Sequence, residues 1–566
     1  MFSACSNSDV TSPAAQKTTY LDGSNLSDLF TDQNLRRCIE SVAGRNGWTR
    51  PEQLSGTLNC AGQGIADLSG IDQLVSLTSL NLRDNRLRDV SQLAALTNLN
   101  YLNLSGNSLV DLSPLAGLAN LTSLYLSSNN IRDVSALGSL TGLQNLDLSF
   151  NALGGIESLA SLEGLRYLNI GANSIADISV MQNFLRLSDL NIANNNIAVV
   201  DSLATLQDLV FIDASRNNIQ EISALAGLPY LRILLLYDNY IQSVAPLAPV
   251  TSLQKLYLTN NSITDIAPLA ALVNLSDLLL GNNNISDIYP IADMTNLQIL
   301  LLDNNRISDI SVLGGGQFTL LSNLGLSHNY ISDISGLNGL GSLRRLNLGY
   351  NIVSSIDSLA SLASLETLLL ENNGLTGISA LSSLTGLSFL RLDNNSIKDL
   401  QPLASLTQLV NLSVYSNAIT NIQPLAGLTN LVSLNLYDNQ ISDISPLASL
   451  SSMQYLRLHY NNVSDITMLQ NLSLLTELYL TANNITDVNA LSGLVNLNVL
   501  KLDSNNITDS SSLAGLVNLN ELRLFANGNM TCQSLALLIE QLGSPPVDTD
   551  GNMGSADSVA AGINCQ

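Results

Sequence analysis

One asparagine recurs with a spacing that leaves few folds open to this chain. It stands at position 85 and every 22 residues to 305, then, after one step of 24, at 329 and every 22 residues to 527. A fixed period of this length is the signature of stacked supersecondary units, each contacting only its neighbours. The unit is clearest over residues 428–449, LTNLVSLNLYDNQISDISPLAS, where Asn439 marks the register. Leu434 and Leu436 alternate there with Ser433, Asn435 and Tyr437, the period-two pattern of a short strand with one buried face. Asn439 follows where the chain must turn, and a buried amide at that point can pair backbone groups that would otherwise be orphaned. Beyond it, Ile441, Ile444 and Leu447 supply apolar pegs, and Pro446 suits the first position of a helical turn, so a short 3₁₀ segment is expected. Gln63 occupies the asparagine position of a degenerate first unit. One unit cannot bury enough to offset the ordering of its own residues; only stacking supplies the missing contacts.

At 566 residues the chain exceeds the size at which a single globular core stops growing, and repetition removes that limit. Lys and Arg number 22 against 46 Asp and Glu, a net charge of −24 that repels phosphate backbones and anionic lipid. No Lys/Arg run of the kind that binds nucleic acid occurs, so no nucleic-acid partner is expected. Nor does any stretch of 18 apolar residues occur, because polar residues interrupt the repeats every few positions.

The repeated unit resembles the 22-residue class of leucine-rich repeats found in bacterial internalins and in certain phosphatase regulators, and the likeness covers about residues 54–527. It implies an α/β leucine-rich-repeat solenoid, a right-handed horseshoe with a concave parallel β-sheet and convex 3₁₀ turns, and a role in protein recognition. It identifies no partner, because the apolar pegs are shared by repeats with unrelated targets. One departure, Leu313 to Leu320 (LGGGQFTL), carries the two residues extra to the period; it reads as an insertion tolerated on the convex side, with a local bulge or hinge as the alternative.

Open solenoid ends expose core, so helical caps are expected at both ends. The organisation expected is a leader over 1–24, an N-terminal cap over 25–53, about 22 repeats over 54–527 and a C-terminal cap over 528–566. Thr31 is a fair N-cap, Phe30 and Leu35 are placed as a hydrophobic staple, and Leu35, Cys38, Ile39 and Val42 share one helical face. Cys38 then points at the core, and Cys60 sits where later repeats carry an inward Leu such as Leu82, so a Cys38–Cys60 disulfide is expected. At the far end Thr531 can cap a helix carrying Cys532, and a Cys532–Cys565 disulfide is expected with the folded-back tail. The alternative for both pairs is buried free thiols in a reducing compartment. Cys5 is left over; the residues Phe2 to Ser6 (FSACS) followed by a Ser/Thr/Ala/Pro tether resemble the end of a bacterial lipoprotein signal, which makes Cys5 a candidate lipidation site if a basic and apolar stretch precedes it.

Catalytic chemistry has little to draw on. The chain holds two histidines, His328 and His459, and no metalloprotease, nucleophile-elbow, Cys-x-x-Cys or phosphate-loop pattern, so neither an enzyme nor a cofactor is expected. The tail 548–559 spaces oxygen ligands somewhat like a calcium loop, but Gly551 and Gly554 fall at the wrong places and Val559 stands where a bidentate carboxylate belongs, so a polar capping loop is the better reading. The recurring Asp after each asparagine turn, as in Asp265, Asp287, Asp309 and Asp443, reads as a turn cap.

Function should then reside in strand positions that vary between repeats and point outward, at minus six, minus four, minus two and minus one from each ladder asparagine. Those columns give two candidate partner-binding clusters. The first is an apolar stripe of Phe211, Ile233, Leu235, Tyr237, Tyr257, Leu279, Ile299 and Leu301, where other repeats mostly carry Asn, Ser or Asp. The second, Tyr415, Tyr437, Tyr455, Arg457, His459, Tyr460 and Tyr479, is rich in residue types that anchor interfaces. The reading is a non-enzymatic recognition protein at a bacterial cell surface, binding a protein or peptide. The alternatives are glycan binding through the tyrosines and an intracellular scaffold like the phosphatase regulators, with membrane contact only through a lipid anchor.

Overall fold

A computed structural model describes residues 26–47, 50–527, 530 and 538. Its contacts divide the chain into an N-terminal unit, Met1–Ile263, and a C-terminal unit, Thr264–Gln566. Each is built from one repeating piece of chain, a strand of mostly three residues followed by a 3₁₀ turn. Strands run in the N-terminal unit from Gly56–Asn59 to Lys255–Tyr257 and in the C-terminal unit from Asp277–Leu279 to Glu521–Arg523. Within each unit every strand pairs in parallel with the strand of the next repeat, so that Leu412, Leu434 and Leu456 stand side by side. This is the leucine-rich-repeat solenoid architecture that the resemblance of the repeated unit implies.

The strand leucines point inward and are almost wholly buried, as are the pegs of the turns: Leu434, Leu436, Ile441, Ile444 and Leu447 are each at most 1% exposed. Burial of both leucines forces the residues between them to the outer face of the sheet. The ladder asparagine then does what the period demanded. Asn439 Nδ2 donates to the carbonyls of Val414 in the preceding repeat (3.1 Å) and of Leu436 and Tyr437 in its own (3.2 Å each), while Oδ1 accepts the Ile419 N–H at 3.0 Å. Before each ladder asparagine from Asn85 to Asn527 the residue has a positive φ, as in Asp438 (52°) and Tyr460 (54°). A left-handed residue costs roughly 1 kcal/mol when it is not Gly, Asn or Asp. Phe150, Tyr350 and Tyr460 nonetheless occupy it with φ near 55°, and all three rings are exposed.

A second asparagine series went unread in the sequence. Asn98, Asn120, Asn430 and Asn518 donate across repeats to the carbonyls of Val75, Thr97, Thr407 and Val495 at 2.8–2.9 Å, on the turn side. The recurring acids behave as turn caps: Asp287, Asp309 and Asp443 each accept the N–H two residues on, at 2.8 Å. Those backbone bonds, with the serine hydroxyls of Ser113, Ser311 and Ser445, hold Asp111, Asp309 and Asp443 below the ordinary carboxylate value of 3.8. A depressed carboxyl stabilises the fold fully above the unfolded value of 3.8 and ceases to as pH falls through the folded value. The urea midpoint is therefore expected to hold between pH 7 and about 4.5 and to drop below about pH 4; a midpoint that rises below pH 4 would contradict the capping role.

The two residues extra to the period are absorbed on the turn side. Ile299 still faces Asn323 across the strand pair, and the chain recovers through Gly315 and Gly316, both at positive φ, before Phe318 enters the core fully buried.

The helix Gln33–Asn46 (α1) closes the start of the array. Its N-cap is Asp32, one residue later than Thr31: Asp32 Oδ1 accepts from the N–H groups of Asn34 (2.7 Å) and Leu35 (3.1 Å). Tertiary structure decides between the two cap-forming residues, since Asp32 Oδ2 also takes the Ala66 N–H at 2.8 Å and Thr31 turns its hydroxyl to Asp67. The buried face of α1 is Leu35, Cys38, Ile39 and Ala43, with Val42 only half-buried, because the i, i+4 line 35–39–43 faces the first repeat. Cys38 is bonded to Cys60, as expected. A bond closing a loop of this length is worth about 3 kcal/mol, so the Cys38→Ser, Cys60→Ser double variant should lose the exchange protection of α1 amides, with that loss as the readout. Cys5, the Cys532–Cys565 pair, the Thr531 cap and the 548–559 tail lie outside the described residues.

Candidate functional site

On the sheet face of the N-terminal unit, Phe211 lies in register with Ile233, and Leu235 with Tyr257. All four, and Tyr237, are half-buried and not freely exposed, because strands in register shield one another's side chains. Asp213 and Lys255 interrupt the stripe, and Arg216 lies over the Tyr237 ring at 5.8 Å. In the C-terminal unit Leu279 is in register with Leu301, and Ile299 stands between Asp277 and Asn323; all three of these apolar residues are half-buried.

The second cluster comes together within the C-terminal unit. Tyr415, Tyr437 and His459 occupy the same position, two before the ladder asparagine, in consecutive repeats, so strand pairing sets their rings in a row. Tyr437 and His459 stack at 4.2 Å and 13°, Tyr415 tilts against Tyr437 at 5.8 Å, and Tyr460 meets Tyr437 edge-on at 5.7 Å. Tyr479 continues the row 6.0 Å from His459. Cations close that end: Arg457 lies 5.2 Å and Lys501 4.9 Å from the Tyr479 ring centre. Glu477 accepts the Tyr479 hydroxyl at 3.2 Å and lies 3.8 Å from Arg457. Tyr455 is exposed on the same strand but has no ring contact among the described residues; its register neighbours are Ser433 and Glu477.

Burial, and behind it the charges of Arg457 and Lys501, push the His459 imidazole down to about 4. His459 is thus neutral above about pH 5, and its Nδ1 is buried with no hydrogen-bond partner among the described residues. An NMR titration should place its midpoint near 4; a midpoint near the ordinary 6.5 would contradict the packing of the ring row.

The position two before the asparagine is not uniformly outward-facing, contrary to the sequence reading. Ser215 and Asp393 there are fully buried and Glu371 is 8% exposed. The reason lies two residues earlier. Where Asn or Asp stands at minus four, its side chain caps the following N–H, as Asn435 does for Tyr437 at 3.2 Å. Where it does not, an acid from the preceding repeat can tuck in to do so: Asp393 accepts the Tyr415 N–H at 3.0 Å, and Asp503 the Phe525 N–H at 2.9 Å. Burial pushes both of these carboxyls up. Neither Glu371, Arg391, Asp393, Glu477 nor Lys501 was among the sequence candidates. Their one signal was an acid or base in columns where most repeats carry an uncharged side chain. The stacked pair His328 and Tyr350, with ring centres 4.0 Å apart, was missed as well. Among the described residues no group of three or more His, Cys, Asp or Glu could hold a metal ion.

Models of the leucine-rich-repeat families match the chain, one described as Leucine Rich repeats (2 copies) at residues 251–292, 273–315, 363–405 and 407–449, the other as Leucine rich repeat at 75–131. At those residues the repeats are of the leucine-rich type. The solved structure of a plant peptide hormone receptor, RGFR1 in complex with RGF2, is similar over 90% of this chain and 95% of that one, with 21% identity and a TM-score of 0.65. A leucine-rich-repeat protein of Leptospira interrogans is similar over 74% of this chain and 98% of that one, with 23% identity and a TM-score of 0.55. An internalin of Listeria monocytogenes shares 29% identity over 71% of this chain and 98% of that one, with a TM-score of 0.43. No curated protein matches the chain.

Proposed function

We propose that this leucine-rich-repeat chain is a non-catalytic recognition protein that works outside the cytoplasm and binds a protein or peptide through the ring-lined sheet face of its C-terminal unit. The observation that carries the reading is the row Tyr415, Tyr437, His459 and Tyr479 with the exposed Tyr460 beside it. Rigid rings expose large amphipathic area at low entropic cost, and Tyr and Arg dominate binding energy in interfaces. The plant receptor of similar fold was solved with RGF2, which favours a peptide-sized ligand here. Tyr437 and His459 cover one another's faces at 4.2 Å, which favours a peptide over a sugar, since a stacked glycan needs an open ring face. The apolar residues Phe211, Ile233, Leu235, Tyr237 and Tyr257 of the N-terminal unit, and Leu279, Ile299 and Leu301 of the C-terminal unit, are proposed as secondary contact areas.

The Cys38–Cys60 bond supports an oxidising compartment over the intracellular scaffold. Thiol titration of the denatured, unreduced chain is expected to give one free thiol at most, the lipid-anchored Cys5 giving none; four or five would return the chain to the cytoplasm. Binding is tested by exposing wild type, Tyr437→Ala and Tyr460→Ala to a phage-displayed library of random dodecapeptides and to a glycan array. Peptides enriched on wild type and lost on both variants support the reading; glycans bound with no peptide enriched overturn it in favour of carbohydrate.

A further inference from the structure

Just before the ring row, in the same sheet column of the C-terminal unit, stand Gly349, Glu371 and Asp393 in consecutive repeats. The Glu371 side chain is nine-tenths buried and leans across Gly349, where an added Cβ would lie 2.8 Å from its Cδ. Oε2 of that carboxylate is buried and has no partner among the described residues, and neither has Nδ2 of the adjacent Asn372. Arg391, the nearest cation, does not answer the need. Its Nε is engaged by Asp393 at 3.3 Å, and its closest approach to Glu371 is 3.9 Å, beyond hydrogen-bond range. Asp393 is fully buried and already accepts from the Ser413 hydroxyl and the Tyr415 N–H. The cluster therefore holds two acids against one base, with one acceptor and one donor unused. Buried polar atoms left without partners are rare and call for one.

We infer that Glu371 and Asn372 are the binding point for a primary ammonium group of a bound peptide, Glu371 accepting from the ammonium and Asn372 donating to a neighbouring peptide carbonyl. A metal ion is a poor occupant, because too few ligands converge. An ammonium brings three donors to a single carboxylate and suits a chain whose net charge is −24. Strands lie roughly 4.8 Å apart, so three repeats separate Glu371 from Tyr437 by roughly 14 Å, about four residues of extended peptide. The ligand should thus carry its ammonium about four residues from the side chain that seats on the Tyr437 ring.

The inference rests on the peptide-binding reading above, and its test separates the two. Dodecapeptides selected on the full chain are resynthesised in three forms: unmodified, with each Lys replaced by norleucine, and with the amino terminus acetylated. Affinities are measured by calorimetry for wild type, Glu371→Gln and Tyr437→Ala. The expected result is that one of the two modifications weakens binding to wild type at least tenfold, showing whether a lysine or the amino terminus supplies the ammonium. That same modification should cost nothing further on Glu371→Gln, whose melting temperature is unchanged. If both modifications and Glu371→Gln leave affinity unaltered while Tyr437→Ala abolishes it, the binding point is refuted and peptide recognition stands. Peptides that bind Tyr437→Ala as well as wild type refute both.

Discussion

Replacing Asn439 by alanine is expected to cost about 4 kcal/mol of stability. Its amide is 9% exposed and serves the Val414, Leu436 and Tyr437 carbonyls and the Ile419 N–H together. Alanine leaves these groups in place without a partner, and an unpaired buried group costs about 1–3 kcal/mol. Asn439→Gln should not restore the loss, because one added methylene moves the amide out of a turn whose bonds are all set by neighbouring repeats. Alanine at Asp443, whose carboxylate is exposed and takes only the N–H and hydroxyl of Ser445, should cost under about 1 kcal/mol. Urea unfolding gives both values, and exchange at the Ile419 amide locates the loss. A cost below about 1 kcal/mol for Asn439→Ala would mean that water serves the turn as well as the amide does.

Tyr437→Ala is expected to weaken ligand binding about a hundredfold, equivalent to about 3 kcal/mol. The ring touches Tyr415, His459 and Tyr460, so its loss removes a contact surface and also frees three other side chains to move. Binding would then carry the added entropic cost of ordering them again. Tyr101→Ala supplies the control: it breaks a comparable pair, Tyr101 with Tyr125 at 5.4 Å, on the sheet of the N-terminal unit, and should leave affinity unchanged. Equal losses in the two variants would show that the effect is structural and not local to the ring row.

Most of the fold was legible because one residue carried the register. From Asn439 alone the inward leucines, the turn and the 3₁₀ segment follow by counting, although the register slips between Gly56 and Thr57 in the first strand pair and Asp277 is buried at an outward position. Local chemistry was less decisive at α1. Thr31 and Asp32 are both good caps, and only the Ala66 N–H, brought in by the first repeat, selects Asp32. The ring row was readable as a column of aromatics, since parallel in-register pairing must bring such a column together. Tyr455 fills another outward-facing column of the same repeat, yet it opens the strand Tyr455–Arg457, four residues before His459. The acid cluster was not readable. Glu371 shares its column with the acids Asp303, Asp393 and Asp503, and its unmet carboxylate emerges from the way Asp393 engages Arg391, which depends on side-chain geometry that no spacing encodes.

Hydrogen–deuterium exchange of the full chain, with and without a saturating selected dodecapeptide, tests the central claim most directly. The account predicts slowed exchange centred on the strands and following turns of residues 367–482, including the His459 and Thr481 amides, which have no acceptor among the described residues. Protection that falls instead on the 3₁₀ turns, or on strands 101–169 with 367–482 unaffected, would contradict recognition through the ring-lined face.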